Sequence, residues 1–370
     1  MRPVRTILNA LAPVVRPVAR KLAPVLRRLA PSPGVRRILG VLGLLVALYA
    51  GLVGTYVENA PGFEPAARTQ QRIQGNLIDV ASIQGRYGVI TLGAALVIIT
   101  GGIDLSIGAV VGFSAVLFGV LTERGVHPFA AFPLVIACGG FVGWVNGVLV
   151  TRLKLQPFLV TLCGMFVYRG AARLLAGTVS RTATVEAQPD FAGSLQTLRY
   201  ILVGKDATGE LQFPAQFVVL LVLAAVVGFV LHRTAYGRYW YAIGHNELAA
   251  KYAGVNVDWQ RTWVYVVCSA LAGLAGVLLF LDSAYVQADS GGQYLELYAI
   301  LGAVLGGCSL RGGEGTAIGM VLGAMVLPVL ENLVTIRGLK SDLIPTVIGL
   351  TLLAGTILDE FIRRRQRARH

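Results

Sequence analysis

With 370 residues, 55% hydrophobic side chains, 14% charged ones and 45 glycines, the chain has the composition of a polytopic membrane protein and not of a soluble enzyme. The net charge of +13 does not point to nucleic acid, because the basic residues gather at the two ends and in loops beside apolar runs. No nucleic-acid partner is expected.

The first 37 residues carry nine Lys or Arg and no acid, with prolines at 3, 13, 17, 24, 31 and 33 that break any long helix. They read as a basic cytoplasmic tail, disordered or laid on anionic membrane lipid in short amphipathic turns. An uncharged run at 38–57 follows, longer than the roughly 7–15 residues of a signal-peptide core, and reads as an uncleaved first span. Further apolar runs place spans near 76–99, 105–121, 128–150, 157–177, 213–231, 262–281, 295–309, 316–335 and 343–361. The expectation is an all-α polytopic membrane protein of about ten transmembrane helices, its membrane domain at 38–361, with a second basic tail at 362–370. Starting from a cytoplasmic N-terminus, the short inside segments hold 21 Lys or Arg against 8 outside. The positive-inside rule then puts both termini and the 232–261 segment in the cytoplasm.

Two glycine-rich hairpins interrupt the bundle. Gly101-Gly-Ile-Asp-Leu-Ser-Ile-Gly108 joins spans two and three, and Gly306-Gly-Cys-Ser-Leu-Arg-Gly-Gly-Glu-Gly315 joins spans eight and nine. Irregular backbone is tolerated in a membrane only under protein or beside a wet cavity, so both should be buried. Gly101, Gly102, Asp104 and Ser106 of the first, and Gly306 and Gly307 of the second, are candidate translocation-pathway or hairpin residues. Asp104 carries most weight, since a carboxylate at membrane depth costs roughly 2.5–3.5 kcal/mol and implies a partner or water; Asp104 or Ser106 could instead cap the third span. Spans two to five begin outside and spans seven to ten begin inside, which reads as an inverted repeat.

The polar interval at 232–261, HRTAYGRYWYAIGHNELAAKYAGVNVDWQR, separates two runs that each suffice to cross a bilayer. Asn246 is placed to cap a short helix at 247–253, Glu247 and Lys251 stand four apart on it, and Gly254 follows where a left-handed stop is wanted. So short a helix is marginal alone and must lean on something. Its small apolar face of Leu248, Ala249, Tyr252 and Ala253 invites a soluble partner.

No G-x-x-x-x-G-K-[ST] occurs, so an ATPase phosphate cradle must come from another polypeptide. His127, His232, His245 and His370 fall in loops or the tail, no catalytic constellation gathers, and the chain reads as a non-enzyme. Cys138, Cys163, Cys268 and Cys308 lie in apolar runs with no CxxC pair, reading as small core residues; no metal or other cofactor is expected. Asn146, Thr161, Tyr168 and Trp144 offer the hydrogen bonds and aromatic faces that a neutral sugar needs, and each also suits interhelical packing. Arg169 and Arg173 stand four apart and read as snorkelling or paired with carboxylates. An ion-coupled secondary transporter should bury partnered ionisable residues deeply, and only Asp104 comes close.

The order Gly101-Gly-Ile-Asp-Leu-Ser-Ile-Gly108, Gly143-Trp-Val-Asn-Gly147, Pro157-Phe-Leu-Val-Thr-Leu162 with Arg169-Gly170, Thr234-Ala-Tyr-Gly-Arg238 and Ala242-Ile-Gly-His-Asn246 resembles the permeases of bacterial ribose, xylose and galactose ABC importers, within the branched-chain amino acid permease superfamily. Gly254, Ala272-Gly-Leu-Ala-Gly276 and Gly307-Cys-Ser-Leu-Arg-Gly-Gly313 extend the likeness across roughly 76–359. The resemblance implies a multi-pass inner-membrane permease that dimerises, as homodimer or heterodimer. It further implies a periplasmic or extracellular substrate-binding protein that delivers sugar outside and a separate ATPase that docks inside. Glu247, Ala249, Ala250 and Gly254 resemble the family's coupling motif. Related permeases carry nucleosides, autoinducer-like pentose derivatives or branched-chain amino acids, which stand as alternative substrates.

Overall fold

A computed structural model describes residues 33–58, 66–177, 182–184, 191–283 and 285–338, with positions 346, 349, 350 and 353. In chain order the elements are α1 (Pro33–Glu58), α2 (Ala66–Ile99), α3 (Ile107–Glu123), α4 (Pro128–Thr151), α5 (Pro157–Ala176), β1 (Thr182–Thr184), α6 (Ala192–Val203), α7 (Ala215–Arg233), α8 (Ala235–His245), α9 (Glu247–Tyr252), α10 (Val257–Ser283), β2 (Tyr285–Gln287), α11 (Leu295–Leu305) and α12 (Ala317–Ile336). Proline opens α4 and α5, where its missing N–H costs nothing and its fixed φ suits the first turn.

Among the described residues seven helices, α1, α2, α4, α5, α7, α10 and α12, are long and apolar enough to cross a membrane. The expected spans three and eight are shorter. Helix α3 has 17 residues and α11 has 11, which at 1.5 Å per residue gives about 26 and 17 Å against a hydrocarbon core near 30 Å. Both follow the two most buried long helices across a non-helical stretch, α2 to α3 through 100–106 and α10 to α11 through 285–294 of the described residues. The expected tenth span, all of it but those four isolated positions, lies outside the described residues, as do the tail at 362–370 and the first 32 residues of the N-terminal tail; its last five belong to α1.

Helices α2 and α10 form the core. Val89, Ile90, Leu92 and Ala94–Ile99 of α2 are buried, as are Val264, Tyr265, Cys268, Ala272, Ala275 and Leu278 of α10. Helix α10 packs most closely on α4, because Gly139, Gly143 and Gly147 repeat every fourth residue along the α4 face. A methyl group on Gly143 would stand 2.2 Å from the Tyr265 carbonyl oxygen, so only a small-residue stripe permits this approach. Around this centre α5 and α7 present large apolar side chains outward, among them Phe166, Val167, Leu174, Val222 and Phe229, as lipid-facing helices do.

Between α5 and α7 the described residues include a strand and a helix. Strand β1 pairs antiparallel with β2, Thr182 opposite Gln287 and Thr184 opposite Tyr285, and α6 buries Leu195 and Leu198 in a cluster with Phe118, Phe280 and Leu281. Asp282 at the end of α10 fastens this cap: it accepts the Arg86 guanidinium of α2 and, at 2.7 Å, the Lys205 ammonium just beyond α6.

Candidate coupling and translocation site

The segment between α7 and α10 folds as two helices. Helix α8 occupies a stretch expected as loop, and α9 runs Glu247–Tyr252, one residue shorter than the expected 247–253, with Ala253 as its C-cap. The Asn246 side chain accepts the Ala249 N–H at 3.0 Å, the N-cap the sequence suggested. At the other end the Val255 N–H donates to the Ala250 carbonyl at 3.1 Å and the Gly254 N–H to the Lys251 carbonyl at 3.0 Å. That pair of bonds is a Schellman stop, and Gly254 takes the φ of +85° that it requires.

The two faces of α9 differ sharply. Ala250, 4% exposed, packs on Ile243 and Val257 with Val255 beside it, which fixes α9 to α8 and to the start of α10. Ala250 therefore holds the helix from below and is not part of its outer face. Leu248 and Tyr252, 66% and 88% exposed, stand outward with Glu247 and Ala249. The expected pairing of Glu247 with Lys251 is also replaced. Glu247 instead meets Arg261 at 2.9 Å, because the guanidinium at the first turns of α10 reaches back under α9.

Both glycine hairpins reach this end of the bundle. Helix α2 stops at Ile99, and its terminal carbonyls are all taken: Val97 by the Gly102 N–H at 3.0 Å, Ile98 by the Gly101 N–H at 2.9 Å, and Ile99 by the Gly313 N–H of the second hairpin at 2.8 Å. Thr100 is reached by Arg261 at 3.2 Å. Gly244 of α8 is wedged at the same point. A side chain there would put its Cβ 1.9 Å from the Ile99 oxygen and 2.3 Å from the Gly313 nitrogen, so the close approach admits only glycine. The Tyr241 hydroxyl donates to the Gly315 carbonyl at 2.7 Å and ties α8 to the second hairpin again. Gly306 caps α11 and is buried, while Gly307 is half-buried. Gly101, Leu310 and Arg311 are exposed, so the hairpins are buried only in part.

From Gly102 the chain turns inward, and Asp104 and Ser106 are buried between α4, α5 and α10. One Asp104 oxygen accepts both the Ser106 N–H at 2.8 Å and the Ser106 hydroxyl at 2.6 Å, and the other accepts the Cys268 thiol at 3.7 Å. Asp104 thus braces the residue before α3 in an Asx turn and does not cap α3 itself; Ser106 stands at the N-cap without a side-chain cap bond. The Asn146 amide donates to the Ser106 oxygen at 3.0 Å, and the Tyr168 hydroxyl donates to the Asn146 oxygen at 2.7 Å. Thr161 donates to the Ile103 carbonyl at 3.3 Å. A continuous polar chain therefore runs from Asp104 through Ser106 and Asn146 to Tyr168, whose ring is only half-buried. The hydroxyls of Tyr265 and Ser269, both buried beside it, have no hydrogen-bond partner among the described residues. Trp144 lies apart from this chain, exposed and stacked on Phe141.

Sequence reasoning did not single out several carboxylates that pair across the bundle, of which Glu296 is buried and Asp289 exposed. Glu296, in the first turn of α11, faces Arg169 at 3.7 Å, and Asp289 takes Arg173 at 2.6 Å, so both arginines of α5 pair with carboxylates of the segment leading into α11. Glu331 of α12 accepts the hydroxyl of Tyr298, which lies edge-on to Tyr87. These acids sit at the ends of apolar runs, where a window on composition averages them away. Of the four cysteines, Cys163 is exposed on α5 and not a core residue.

A bundle of apolar helices with two shorter members, a buried polar chain beside one helix break and a small capped helix at one end defines a multi-pass membrane transport subunit. Residues 76–355 match the model of the permease component of branched-chain amino acid transport systems, and the chain belongs to that permease family. It is 35% identical over 279 residues to the fructose import permease of Rhizobium meliloti, covering 75% of each chain. To the ribose import permease of Bacillus subtilis it is 31% identical over 323 residues, 87% of this chain and 93% of that one. To the ribose import permease of Escherichia coli K12 it is 30% identical over 284 residues, 77% of this chain and 85% of that one. No solved structure matches it.

Proposed function

We propose that the chain is the membrane-spanning subunit of an ATP-binding cassette importer for a simple sugar of the ribose, xylose, galactose or fructose kind. The observation that carries this reading is α9, a six-residue helix capped at both ends, fixed from below by Ala250 and offering Leu248, Ala249 and Tyr252 to solvent. An ion-driven transporter has no use for such a knob, whereas a permease that borrows its energy needs a place for the ATPase to grip. Relatives named as ribose and fructose import permeases support the substrate class.

In this reading two copies assemble in the inner membrane, as a homodimer or with a related permease, and both termini with α8 and α9 face the cytoplasm, as the distribution of Lys and Arg suggests. The ATPase docks on α9, and the substrate-binding protein docks at the opposite end, around α6 and the β1–β2 ribbon. The non-helical stretches before α3 and α11 are the breaks of an inverted repeat of spans two to five and seven to ten. Gly101, Gly102, Asp104, Ser106 and Asn146 then line or gate the path, with Gly306 and Gly307 as the hinge of the second half. A neutral, hydroxyl-rich solute suits a pathway that offers the exchangeable hydrogen bonds of Ser106, Asn146 and Tyr168. The test is uptake of radiolabelled pentoses and hexoses by proteoliposomes holding the chain, the ATPase and the binding protein encoded beside it. Uptake of a simple sugar is expected; uptake of a nucleoside or branched-chain amino acid in its place would overturn the substrate.

A further inference from the structure

We infer that Arg261 is the positioning residue that carries movement of α9 into the linker between α2 and α3; the inference rests on reading α9 as the docking helix. The guanidinium uses separate nitrogens for two partners that lie 147 residues apart in the chain, the Glu247 carboxylate at 2.9 Å and the Thr100 carbonyl at 3.2 Å. The Arg261 side chain is 21% exposed and the Glu247 side chain 48%, so the Thr100 arm lies within the protein while the Glu247 arm reaches the surface where a partner can act on it.

The second partner matters because of where it stands. Thr100 follows the last residue of α2, and the preceding carbonyls are satisfied by the chain itself or by Gly313, which leaves the Thr100 oxygen to a side chain from outside. A cation at that point also suits the negative end of the α2 dipole. Two residues later comes Gly102 and four later Asp104, which orders Ser106, Asn146 and Tyr168 in turn. Helix α9 touches no residue of this linker in any hydrogen bond or ion pair of its own among the described residues. Arg261 supplies the link: a pull on Glu247 moves one arm of a planar, rigid fork, and the other arm must follow at Thr100. Lysine, with a single ammonium on a flexible stem, cannot hold both partners in fixed relation.

The test has two parts. In the isolated chain in lipid nanodiscs, amide exchange at Gly101 and Gly102 is followed for Glu247→Gln, Arg261→Lys and the double variant. Glu247→Gln touches neither glycine, yet exchange there should quicken by about fivefold or more, and should not quicken further in the Arg261→Lys background. Equal exchange in Glu247→Gln and the unaltered chain, or additive effects in the double variant, overturns the inference. In proteoliposomes with the ATPase, Arg261→Lys should retain ATPase binding and basal hydrolysis while sugar moved per ATP falls about five- to tenfold. Lys154→Ala, which removes the exposed Lys154–Asp258 pair at the same end, should leave that ratio unchanged. A normal ratio in Arg261→Lys, or loss of ATPase binding that fully accounts for lost transport, also overturns it. Should the unaltered assembly show no ATP-driven uptake, the proposed function falls, and the exchange cycle alone still decides the role of Arg261.

Discussion

Replacing Gly254 by valine isolates the contribution of one backbone conformation to docking. At φ +85° the glycine occupies the left-handed region, and beyond its two chain neighbours no atom lies within 4 Å of where a Cβ would stand. Steric collision with neighbours therefore contributes nothing, and the whole penalty comes from the dihedral, roughly 1–2 kcal/mol for a side chain with a β-carbon and at the upper end for a branched one. The Schellman bonds at Ala250 and Lys251 hold only if that dihedral is kept, so the penalty falls on the end of α9 and nowhere in the membrane. One to two kcal/mol corresponds to a factor of about 5–30 in the ratio of intact to opened α9, and ATPase affinity should fall by up to that factor as the opened form becomes populated. Gly254→Asn, which tolerates the left-handed region, should fall much less. Titration of purified ATPase onto the chain in nanodiscs measures both, with membrane abundance as control. Unaltered affinity in Gly254→Val, or equal losses in valine and asparagine, would refute the reasoning.

Ala250→Trp should act from the inner side of α9, overfilling the contact with Ile243 and Val257 at about 1–3 kcal/mol, and should raise protease cleavage within 247–255 even without ATPase. Asp104→Ala removes the acceptor for both Ser106 donors in a buried site and should cost on the order of 1–3 kcal/mol in thermal stability; Asp104→Asn, which keeps one acceptor oxygen, should cost less. In the turn after α6, the bond from the Thr208 hydroxyl, with the Glu210 and Thr208 N–H groups and the Gln212 amide, holds the Asp206 carboxyl below the usual carboxylate range. Because the folded value is the lower one, the stabilisation is complete above the ordinary carboxylate pKa and is lost as pH falls toward and through the depressed value. Amide exchange at Thr208 and Glu210 should therefore quicken, relative to neighbouring turns, only in that acidic window, and Asp206→Asn should abolish this dependence.

The helices were legible where apolar runs were long. The cap at Asn246 and the stop at Gly254 were legible because they depend on a few adjacent residues whose local chemistry is specific. What could not be read required partners far apart in the chain. Glu247 has a suitable lysine four residues on, yet its carboxylate goes to Arg261, and Ala250 looks as exposed as Ala249 until Ile243 and Val257 fold under it. The charges of Arg86, Lys205 and Asp282 appear as isolated interruptions of three segments and become one cluster only in the folded bundle. The shortness of α11 was hidden as well, since the glycines at 306 and 307 extend its apolar run beyond the point where the helix ends.

The proposed function separates most directly from an ion-driven carrier by the energy source of uptake. Vesicles reconstituted with the chain, its ATPase and its binding protein are loaded either with ATP and no ion gradient or with a proton or sodium gradient and no ATP, and accumulation of labelled sugar is measured. Accumulation with ATP alone, abolished when the ATPase is omitted, is the expected result; accumulation driven by an ion gradient in the chain alone would contradict it.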